Sequence, residues 1–417
     1  MASQSQLREL GSHATMVRST PARATAAVAR RVVMLTPAFY PYCVPIFEEL
    51  YRCLGRRFVV VALRHQRREI TSAALGMGSF PRRLLGGHGF ELSRAEDQGT
   101  ETPLAVAWAP SLPLVLASLR PGVVMSANFN LWTLTSMVMG YPTVIGWEGT
   151  HHTERTLKPW RIRLRKWMAK RARAFVVNGT LSRRYLVEAL GVPGERILEP
   201  QICPAPAPDW VRTPKTLISG EPVRFLFVGR MIEGKGVSHL LRAAKLLEMR
   251  LGREAKFELV LVGNGPERER YEKLAWELGL RDRVRFAKFV NPDQVWKYYA
   301  GAHVLVLPTL QDTWALVVPE AMSAGLAVLV SKYAGSVPDL VREGENGYAF
   351  DPQDHEGLAA CMGRYLSDPE LVHRHGQRSL ELVSTYTPAR MAQVLLRALE
   401  MAMSGPVRQV ENGRHQK

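Results

Sequence analysis

The sequence predicts an α/β protein with two Rossmann-like, doubly wound parallel-sheet domains that face each other across a cleft. Short apolar runs bounded by Pro or Gly alternate with segments of helix length, which is typical of parallel sheets covered by helices. The alternation stops in a Pro-rich stretch near residue 205 and then begins again. The length of 417 residues also favours two domains, because a single core stops growing at roughly 250–300 residues.

The first domain is predicted over residues 31–205, on the acceptor side of the cleft. Residues 1–30 are rich in Ser, Ala, Thr and Arg and lack the apolar core of a secretory signal, so we expect a disordered extension; a transit peptide is the alternative. Five apolar runs predict strands in this domain: Arg31–Leu35, Phe58–Leu63, Gly122–Met125, Thr143–Trp147 and Ala174–Val177.

The second domain is predicted over residues 223–385, after a linker at 206–222. A helix is expected over 386–405, and it could cross back to the first domain. A polar tail is expected over 406–417. Ligands of doubly wound sheets lie beyond the carboxyl ends of the strands, so the cleft between the domains is the expected active site. The strands of this domain are predicted from five further runs: Val223–Val228, Phe257–Val262, Val284–Phe286, Val304–Leu307 and Ala327–Val330.

Composition limits the class of protein. With 46% hydrophobic and 22% charged residues, the chain has an ordinary globular composition. No uninterrupted apolar stretch is long enough to predict a transmembrane helix. The four cysteines are scattered without a metal-binding or disulfide spacing, which favours a reduced, cytoplasmic protein; they are Cys43, Cys53, Cys203 and Cys361.

The charge is unevenly distributed along the chain. Of the net charge of +17, residues 1–200 carry +14. The N-terminal half should therefore attract something anionic: nucleic acid, a phospholipid surface or a phosphorylated acceptor. Nucleic acid is the least favoured of the three, because no recognisable nucleic-acid-binding module is present.

The loop after Val223–Val228 is the first candidate site. It contains Gly229, Arg230 and Lys235, and a helix follows. Glycines at this position let a phosphate approach the backbone, and the helix N-terminus supplies amide donors and a favourable dipole. The two cations can neutralise a diphosphate. The alternative is an ordinary turn with two solvated cations.

A second glycine-containing loop, Gly263-Asn264-Gly265, follows the strand Phe257–Val262. It predicts either room for a nucleotide against the backbone or simply a tight turn.

The third candidate site is a pair of carboxylates. Asp312 lies beyond the buried strand Val304–Leu307, and Glu320 opens the next helix behind Pro319. Both can face the cleft and accept hydroxyl hydrogen bonds from a sugar or ribose. The alternative is that Glu320 only complements the helix dipole and Asp312 is a solvated turn residue.

Four segments in order resemble the large retaining glycosyltransferase family called group 1 or family 4, which has the GT-B fold. The resemblance runs through roughly residues 222–370, and four ordered motifs are far more specific than one. The segments are FVGRMIEGKG, LVGNGPERE, LPTLQDTWALVVPEAMSAGLAVLVS and GSVPDLVREGENGYAFDPQD.

The resemblance implies roles for the candidate residues. Arg230 and Lys235 would bind the donor diphosphate, and Glu320 would hold the ribose hydroxyls. Asp312 would contact the donor sugar near the reacting carbon, where the family has Glu. The residues that would line the nucleotide site are Gly229, Gly263, Asn264 and Gly265.

The N-terminal half resembles the family more weakly. An aromatic, Pro-rich loop over Pro37–Pro45 replaces the family's Gly-Gly loop. The loop after Thr143–Trp147 should face the cleft. We expect His151 to take part in catalysis and Glu148, Thr150 and His152 to lie on the acceptor side; the alternative is that all four are ordinary polar loop residues.

A basic helix is predicted over Lys158–Arg173, which has eight cations and no acid. Four apolar side chains recur on one face, which is typical of a helix at a membrane interface; they are Trp160, Leu164, Trp167 and Met168. The alternative is a helix packed on its own sheet through that face. In either case the basic face can meet anionic lipid, and the residues expected to do so are Lys158, Arg161, Arg165, Lys166 and Lys170.

The resemblance implies transfer of a sugar from a UDP- or GDP-sugar to a lipid-linked or saccharide acceptor, with retention. No Asp-x-Asp motif occurs, so no metal and no other cofactor are expected. The protein would work in the cytoplasm, with a peripheral position at the membrane face as a further expectation. Because Asp312 and the first loop depart from the family, the alternative function is a non-catalytic nucleotide-sugar-binding or membrane-associated partner protein.

Overall fold

The computed structural model describes residues 30–64, 76–91, 105–200, 202–252, 254–287 and 292–404. The extension predicted over 1–30, apart from Arg30, and the tail predicted over 406–417 lie outside them. Two open sheets, one in each half of the chain, form the frame. Every pairing within both sheets is parallel. The predicted pair of doubly wound domains is therefore confirmed.

The N-terminal sheet has the strand order β3-β2-β1-β6-β7-β8-β9. Four of these strands, β1, β2, β7 and β8, are buried along their whole length, as expected for a parallel sheet covered on both faces. A separate antiparallel pair, β4 and β5, joins His88–Glu91 to Ala105–Trp108. The sheet strands are β1 Val32–Leu35, β2 Phe58–Leu63, β3 Arg82–Leu85, β6 Val123–Ala127, β7 Thr143–Trp147, β8 Ala174–Val177 and β9 Ile197–Leu198.

The described residues of this half of the chain form five helices, which divide between the two faces of the sheet. Helix α1 covers one face, and α2 to α5 cover the other. Asn130 caps the third of them by accepting a hydrogen bond from the Thr133 backbone N–H at 2.9 Å. The helices are α1 Val44–Leu54, α2 Leu112–Leu119, α3 Leu131–Val138, α4 Pro159–Arg171 and α5 Thr180–Leu190.

The C-terminal sheet has the order β12-β11-β10-β13-β14-β15, in which the strand order reverses between β10 and β13. Ligands of such sheets bind at the carboxyl ends near this reversal. One continuous core fills both faces. The strands are β10 Val223–Val228, β11 Phe257–Val262, β12 Val284–Ala287, β13 Val304–Leu307, β14 Ala327–Ser331 and β15 Gly347–Phe350.

The remaining helices surround this second sheet, except for the last, α13. They are α6 Val237–Leu251, α7 Arg268–Glu277, α8 Pro292–Ala300, α9 Val317–Ser323, α10 Val337–Leu340, α11 His355–Ser367, α12 Glu370–Val383 and α13 Pro388–Met403. Short 3₁₀ turns lie at Pro41–Cys43, Gly55–Arg57, Gly194–Arg196, Asp209–Val211 and Glu233–Lys235.

The chain passes between the domains twice. Ile202 packs in the C-terminal core and Cys203 in the N-terminal one, so the first crossing lies beside the boundary predicted at 205. The second crossing is at Tyr386, which contacts both cores. Helix α13 then packs against α1 and the N-terminal sheet, burying a row of side chains there: Met391, Leu395, Leu396, Leu399 and Ala402.

Helix α4 packs on the sheet through a different face from the predicted apolar one. Ala169 and Ala172 pack in the core with Ile162 beside them, because their small side chains let the helix lie close to the sheet. The predicted apolar face points away: Trp160, Leu164 and Trp167 are exposed, and only Met168, at its edge, is buried. The alternative in which the helix packs on its own sheet through that face is therefore wrong, whereas a helix at a membrane interface stays a prediction.

The prediction that Arg165 meets anionic lipid is wrong, because this residue lies on the sheet side of α4 and is unavailable to lipid. Its Nη1 is 2.5 Å from Glu154 Oε2, with the two side chains 15% and 17% exposed. Its guanidinium carbon lies 4.7 Å from the centroid of the Trp147 ring. The arginine is therefore an internal cation that is neutralised within its own domain.

Within the described residues, none of the helices combines the length and the apolarity needed to cross a bilayer.

Candidate active site

The loops at the carboxyl ends of β10 and β13 are tied together. The Leu310 backbone N–H donates to the Gly234 carbonyl at 2.9 Å, and the Thr309 hydroxyl donates to the same oxygen at 3.1 Å. Gly236 has φ +68°, and a Cβ there would lie 1.9 Å from the Pro308 carbonyl oxygen. Only glycine fits this approach. The two loops therefore act as one surface beneath the cleft.

Lys235 and Asp312 form an ion pair on this surface. Lys235 Nζ lies 2.5 Å from Asp312 Oδ2, with the side chains 24% and 15% exposed. Two residues that the sequence assigned to different chemical groups of the donor are thus in direct contact. The two charges cancel. An incoming anion can break the ion pair by competing with Asp312 for Lys235.

The other oxygen of Asp312 organises its own loop. Asp312 Oδ1 accepts the backbone N–H groups of Trp314 at 3.2 Å and Ala315 at 2.8 Å. Ala315 has φ +65°, a conformation unfavourable for a residue with a side chain. An aspartate makes this turn because its short side chain reaches the backbone two and three residues ahead. These two hydrogen bonds explain why aspartate suits position 312, which the sequence alone could not show.

Glu320 lies in the first turn of α9, beside the cleft. Its Oε2 accepts the Tyr299 hydroxyl at 2.9 Å. Burial raises the pKa of Glu320 to about 7, although the hydrogen bond from Tyr299 acts in the opposite direction. Tyr299, buried below the carboxylate, was not identified from the sequence; its place in the apolar segment VWKYYA gives no sign of a role.

Raising the pH from 5 to 8 should destabilise the wild-type protein more than a Glu320→Gln variant. The raised pKa means that the folded state holds a proton that the unfolded state, with a value near 4.5, has released. This stabilisation is complete below pH 4.5 and is lost as the pH rises through about 7. The expected difference in free energy of unfolding is about 3 kcal/mol, from 1.36 kcal/mol per pKa unit.

Denaturant melts at the two pH values measure this difference. Glu277→Gln, an exposed carboxylate on α7, is the matched control and should follow the wild type. Equal pH dependence in the Glu320→Gln variant and the wild type would show that Glu320 titrates normally.

The glycines of the second predicted loop serve close backbone packing. A Cβ on Gly263 would lie 1.9 Å from the Gly229 carbonyl oxygen, and one on Gly265 would lie 2.3 Å from that of Met231. The Asn264 carbonyl accepts the Met231 N–H at 2.9 Å. These contacts hold the β11 loop against the β10 loop at the carboxyl edge of the sheet. Arg230 is exposed there.

Glu148 reaches the same region from the N-terminal domain, at the carboxyl end of β7. Burial and the negative charge of Asp312 raise its pKa to about 7. Asp312 is therefore near enough for its charge to act on Glu148. Ser182 fixes the loop by donating to the Glu148 carbonyl at 2.8 Å.

The two neighbouring histidines point in different directions. His152 reaches the C-terminal domain: its Nε2 lies 2.9 Å from the Leu310 carbonyl oxygen, and its ring stacks on Tyr333 at 4.5 Å. His151 is about half exposed and lies 3.1 Å from Glu188 on α5. The structure therefore brings His152 to the Lys235–Asp312 surface and places His151 against its own domain. Thr150 is buried and its hydrogen bonds are local: its backbone N–H donates to the Thr153 hydroxyl at 2.8 Å, and its carbonyl accepts the Glu154 N–H at 3.0 Å.

A further contact between the domains was missed by sequence reasoning. Asp339, at the start of α10, accepts the Thr180 backbone N–H at 3.0 Å and its hydroxyl at 2.7 Å. Burial raises the pKa of Asp339. The carboxylate thus caps α5 of the opposite domain, a role that only the folded chain reveals because 159 residues separate the partners.

Within the described part of the chain, no group of three or more His, Cys, Asp or Glu side chains is arranged to hold a metal ion.

The comparisons with known proteins agree with this geometry. Residues 210–381, which contain the Lys235–Asp312 pair and Glu320, match the family model described as glycosyl transferases group 1. The uncharacterized glycosyltransferase MJ1607 of Methanocaldococcus jannaschii is 37% identical over 144 residues, or 34% of this chain and 35% of that protein. The D-inositol 3-phosphate glycosyltransferase of Acidothermus cellulolyticus is 37% identical over 153 residues, or 35% and 34%. This chain thus spans about a third of the length of each relative.

The likeness to solved structures extends over both domains. Anabaena HepE, solved in complex with UDP, has a TM-score of 0.69, covering 88% of this chain and 99% of that one at 16% identity. The likeness establishes the fold, and the predicted GT-B architecture is confirmed. The predicted resemblance to group 1 glycosyltransferases is confirmed in sequence for the C-terminal domain.

Proposed function

We propose that this chain is a retaining glycosyltransferase that moves a sugar from a UDP- or GDP-sugar to a lipid-linked or saccharide acceptor, in the assembly of a cell-envelope or exopolysaccharide glycan. One observation carries the proposal. The Lys235–Asp312 pair and Glu320 lie beyond the carboxyl ends of the C-terminal strands, and His152 of the other domain contacts the same surface through the Leu310 carbonyl. Cation, carboxylates and cleft are the parts that sugar transfer from a nucleotide donor requires.

On the donor side, Lys235 and Arg230 bind the diphosphate, next to the N-terminus of α6. That helix end adds backbone donors and a favourable dipole for negative charge. Glu320 accepts hydrogen bonds from the two ribose hydroxyls, and Asp312 accepts from hydroxyls of the donor sugar. Gly229, Gly263, Asn264 and Gly265 shape the wall against which the nucleotide lies.

The reaction we propose is a displacement on one face of the sugar. The bond between the anomeric carbon and the diphosphate oxygen breaks, and the bond from the acceptor oxygen forms on the same face. The acceptor proton passes to the departing phosphate oxygen. The protein contributes positioning and charge stabilisation, and Lys235 and Arg230 stabilise the diphosphate as it leaves.

On the acceptor side, Glu148 and His152 border the space opposite the donor. With a pKa of about 7, Glu148 is partly protonated at neutral pH. Its protonated form can donate a hydrogen bond to an acceptor hydroxyl, and its ionised form can accept one from it. His151, held by Glu188, has no place in this arrangement, and Thr150 supports the loop.

Thermal-shift screening with UDP, GDP, ADP and their common sugars tests the proposal. We expect one nucleotide to raise the melting temperature by several degrees, because a ligand that binds only the folded state stabilises it. Glu320→Ala should abolish this shift, whereas Glu277→Ala should retain it. Absence of a shift with every nucleotide, together with no donor hydrolysis, would favour the non-catalytic partner protein instead.

The proposed transfer is independent of a metal and of any other cofactor, with the two cations serving the diphosphate. Turnover should therefore persist in EDTA. Loss of turnover in EDTA that Mn²⁺ or Mg²⁺ restores would refute this part of the proposal.

A further inference from the structure

Helix α4 exposes an apolar stripe on its outer face. Trp160, Leu164 and Trp167 follow one another at i, i+4 and i+7 and are 56%, 37% and 36% exposed. This spacing places the three side chains on one side of a helix. Because Ala169 and Ala172 already fill the face toward the sheet, the stripe has no role in holding the helix on its domain.

Cations surround this stripe. Arg163, Lys166, Lys170 and Arg171 are exposed on the same helix, and no Asp or Glu occurs anywhere in residues 155–187. In the described part of the chain, none of these four cations forms an ion pair. The guanidinium of Arg171 lies 3.9 Å from the centroid of the Trp167 ring, which keeps cation and aromatic ring together at the surface.

The neighbouring helices extend the apolar character of this face. Helices α2, α3 and α5 cover the same side of the N-terminal sheet as α4. Each of them also exposes one large aliphatic side chain, namely Leu114, Val138 and Val187 respectively. One broad side of the domain therefore carries exposed apolar groups on all four helices, with the cations concentrated on α4.

We propose that this side of the N-terminal domain binds an anionic lipid surface, with α4 lying in the headgroup region. Tryptophan prefers that region because its ring is apolar and its N–H is polar, and the flanking Lys and Arg bind phosphate headgroups. The aliphatic groups favour lipid over nucleic acid, since they bury among acyl chains but contribute nothing to contacts with phosphates or stacked bases. The proposal stands on this face alone and does not depend on sugar transfer.

Co-sedimentation of the full chain with vesicles tests it. The vesicles are phosphatidylcholine alone and phosphatidylcholine mixed with phosphatidylglycerol. We expect binding to the mixed vesicles only, weakened by added salt. A variant carrying Trp160→Ser, Leu164→Ser and Trp167→Ser should bind about tenfold or more weakly. A second variant, carrying Arg163→Gln, Lys166→Gln, Lys170→Gln and Arg171→Gln, should lose binding to a similar extent.

Trp210→Ser combined with Trp276→Ser is the matched control, because both tryptophans are exposed and belong to the C-terminal half of the chain, outside the helices of this face. The control should bind vesicles as the wild type does. All variants should keep the wild-type melting temperature and nucleotide-induced shift, which separates failure of this proposal from failure of the proposed function.

Unchanged vesicle binding by the apolar variant would overturn the proposal, as would equal binding of the wild type to both kinds of vesicle. Tight binding of a labelled oligonucleotide that the charge variant loses, without vesicle binding, would instead assign the face to nucleic acid and also overturn it.

Discussion

Replacing Lys235 with Ala should lower kcat/KM for sugar transfer by roughly 10²–10³-fold without unfolding the protein, the effect expected when a group that stabilises developing charge is removed. Lys235 has two contributions to lose. In the proposed function it stabilises the departing diphosphate, and in the structure it holds Asp312 at 2.5 Å. Its removal therefore takes away the positive charge that stabilises the departing diphosphate. It also leaves the Asp312 carboxylate without its partner beside the donor sugar.

Steady-state kinetics with a saturating acceptor measures this effect. Lys235→Arg keeps the charge and should recover part of the activity, although its planar fork cannot reproduce the point contact of an ammonium. Lys245→Ala removes a partly exposed lysine that pairs with Glu248 on the same helix, and it should leave kcat/KM unchanged. A Lys235→Ala enzyme with wild-type kcat/KM would remove Lys235 from the active site.

Replacing Arg165 with Ala should destabilise the N-terminal domain by about 2–4 kcal/mol, because it leaves Glu154 unpaired in a largely buried position. The change also removes the guanidinium that packs over the Trp147 ring and donates to the Tyr185 hydroxyl at 3.3 Å. The free energy of unfolding in urea measures the loss.

The neighbours of Arg165 on the same helix provide the control. Lys166→Ala and Lys170→Ala remove exposed cations and should change the free energy of unfolding by no more than about 0.5 kcal/mol. Equal effects of all three substitutions would show that Arg165 is a surface residue, contrary to the structure.

The fold could be predicted because buried parallel strands leave a strong signal in the sequence. All ten predicted strands are present, since each is a continuous apolar run bounded by turn residues. Gly347–Phe350 was missed although it is mostly buried, because the run is only four residues long and begins with glycine. Two other missed strands are short or partly exposed. Arg82–Leu85 has two exposed residues, and Ile197–Leu198 is only two residues long, so neither forms such a run.

The site could be predicted in the C-terminal domain, where motifs follow strands directly, but less well across the cleft. Lys235, Asp312 and Glu320 each lie just after a recognisable strand or at a helix start. The choice between His151 and His152 depends on where the opposite domain lies, which adjacent sequence positions cannot reveal. The contact of Asp339 with Thr180 has the same origin.

Helix α4 shows where a periodic pattern misleads. A helical stripe of Trp and Leu normally faces the core, yet here the sheet is met by Ile162 and two alanines. The spacing of the large side chains identifies which of them share a face. It does not identify what that face meets.

The last helix of the chain has a consequence for the order of folding during synthesis. The N-terminal strands leave the ribosome first, but part of the core beneath them is completed only by Met391, Leu395 and Leu399 of α13. The side of this early sheet that α1 covers must therefore stay partly uncovered until more than 150 further residues have been made, from the second domain's first strand to its last helix. The first domain is therefore synthesised well before it can complete its own core, so the order of translation differs from the order of folding.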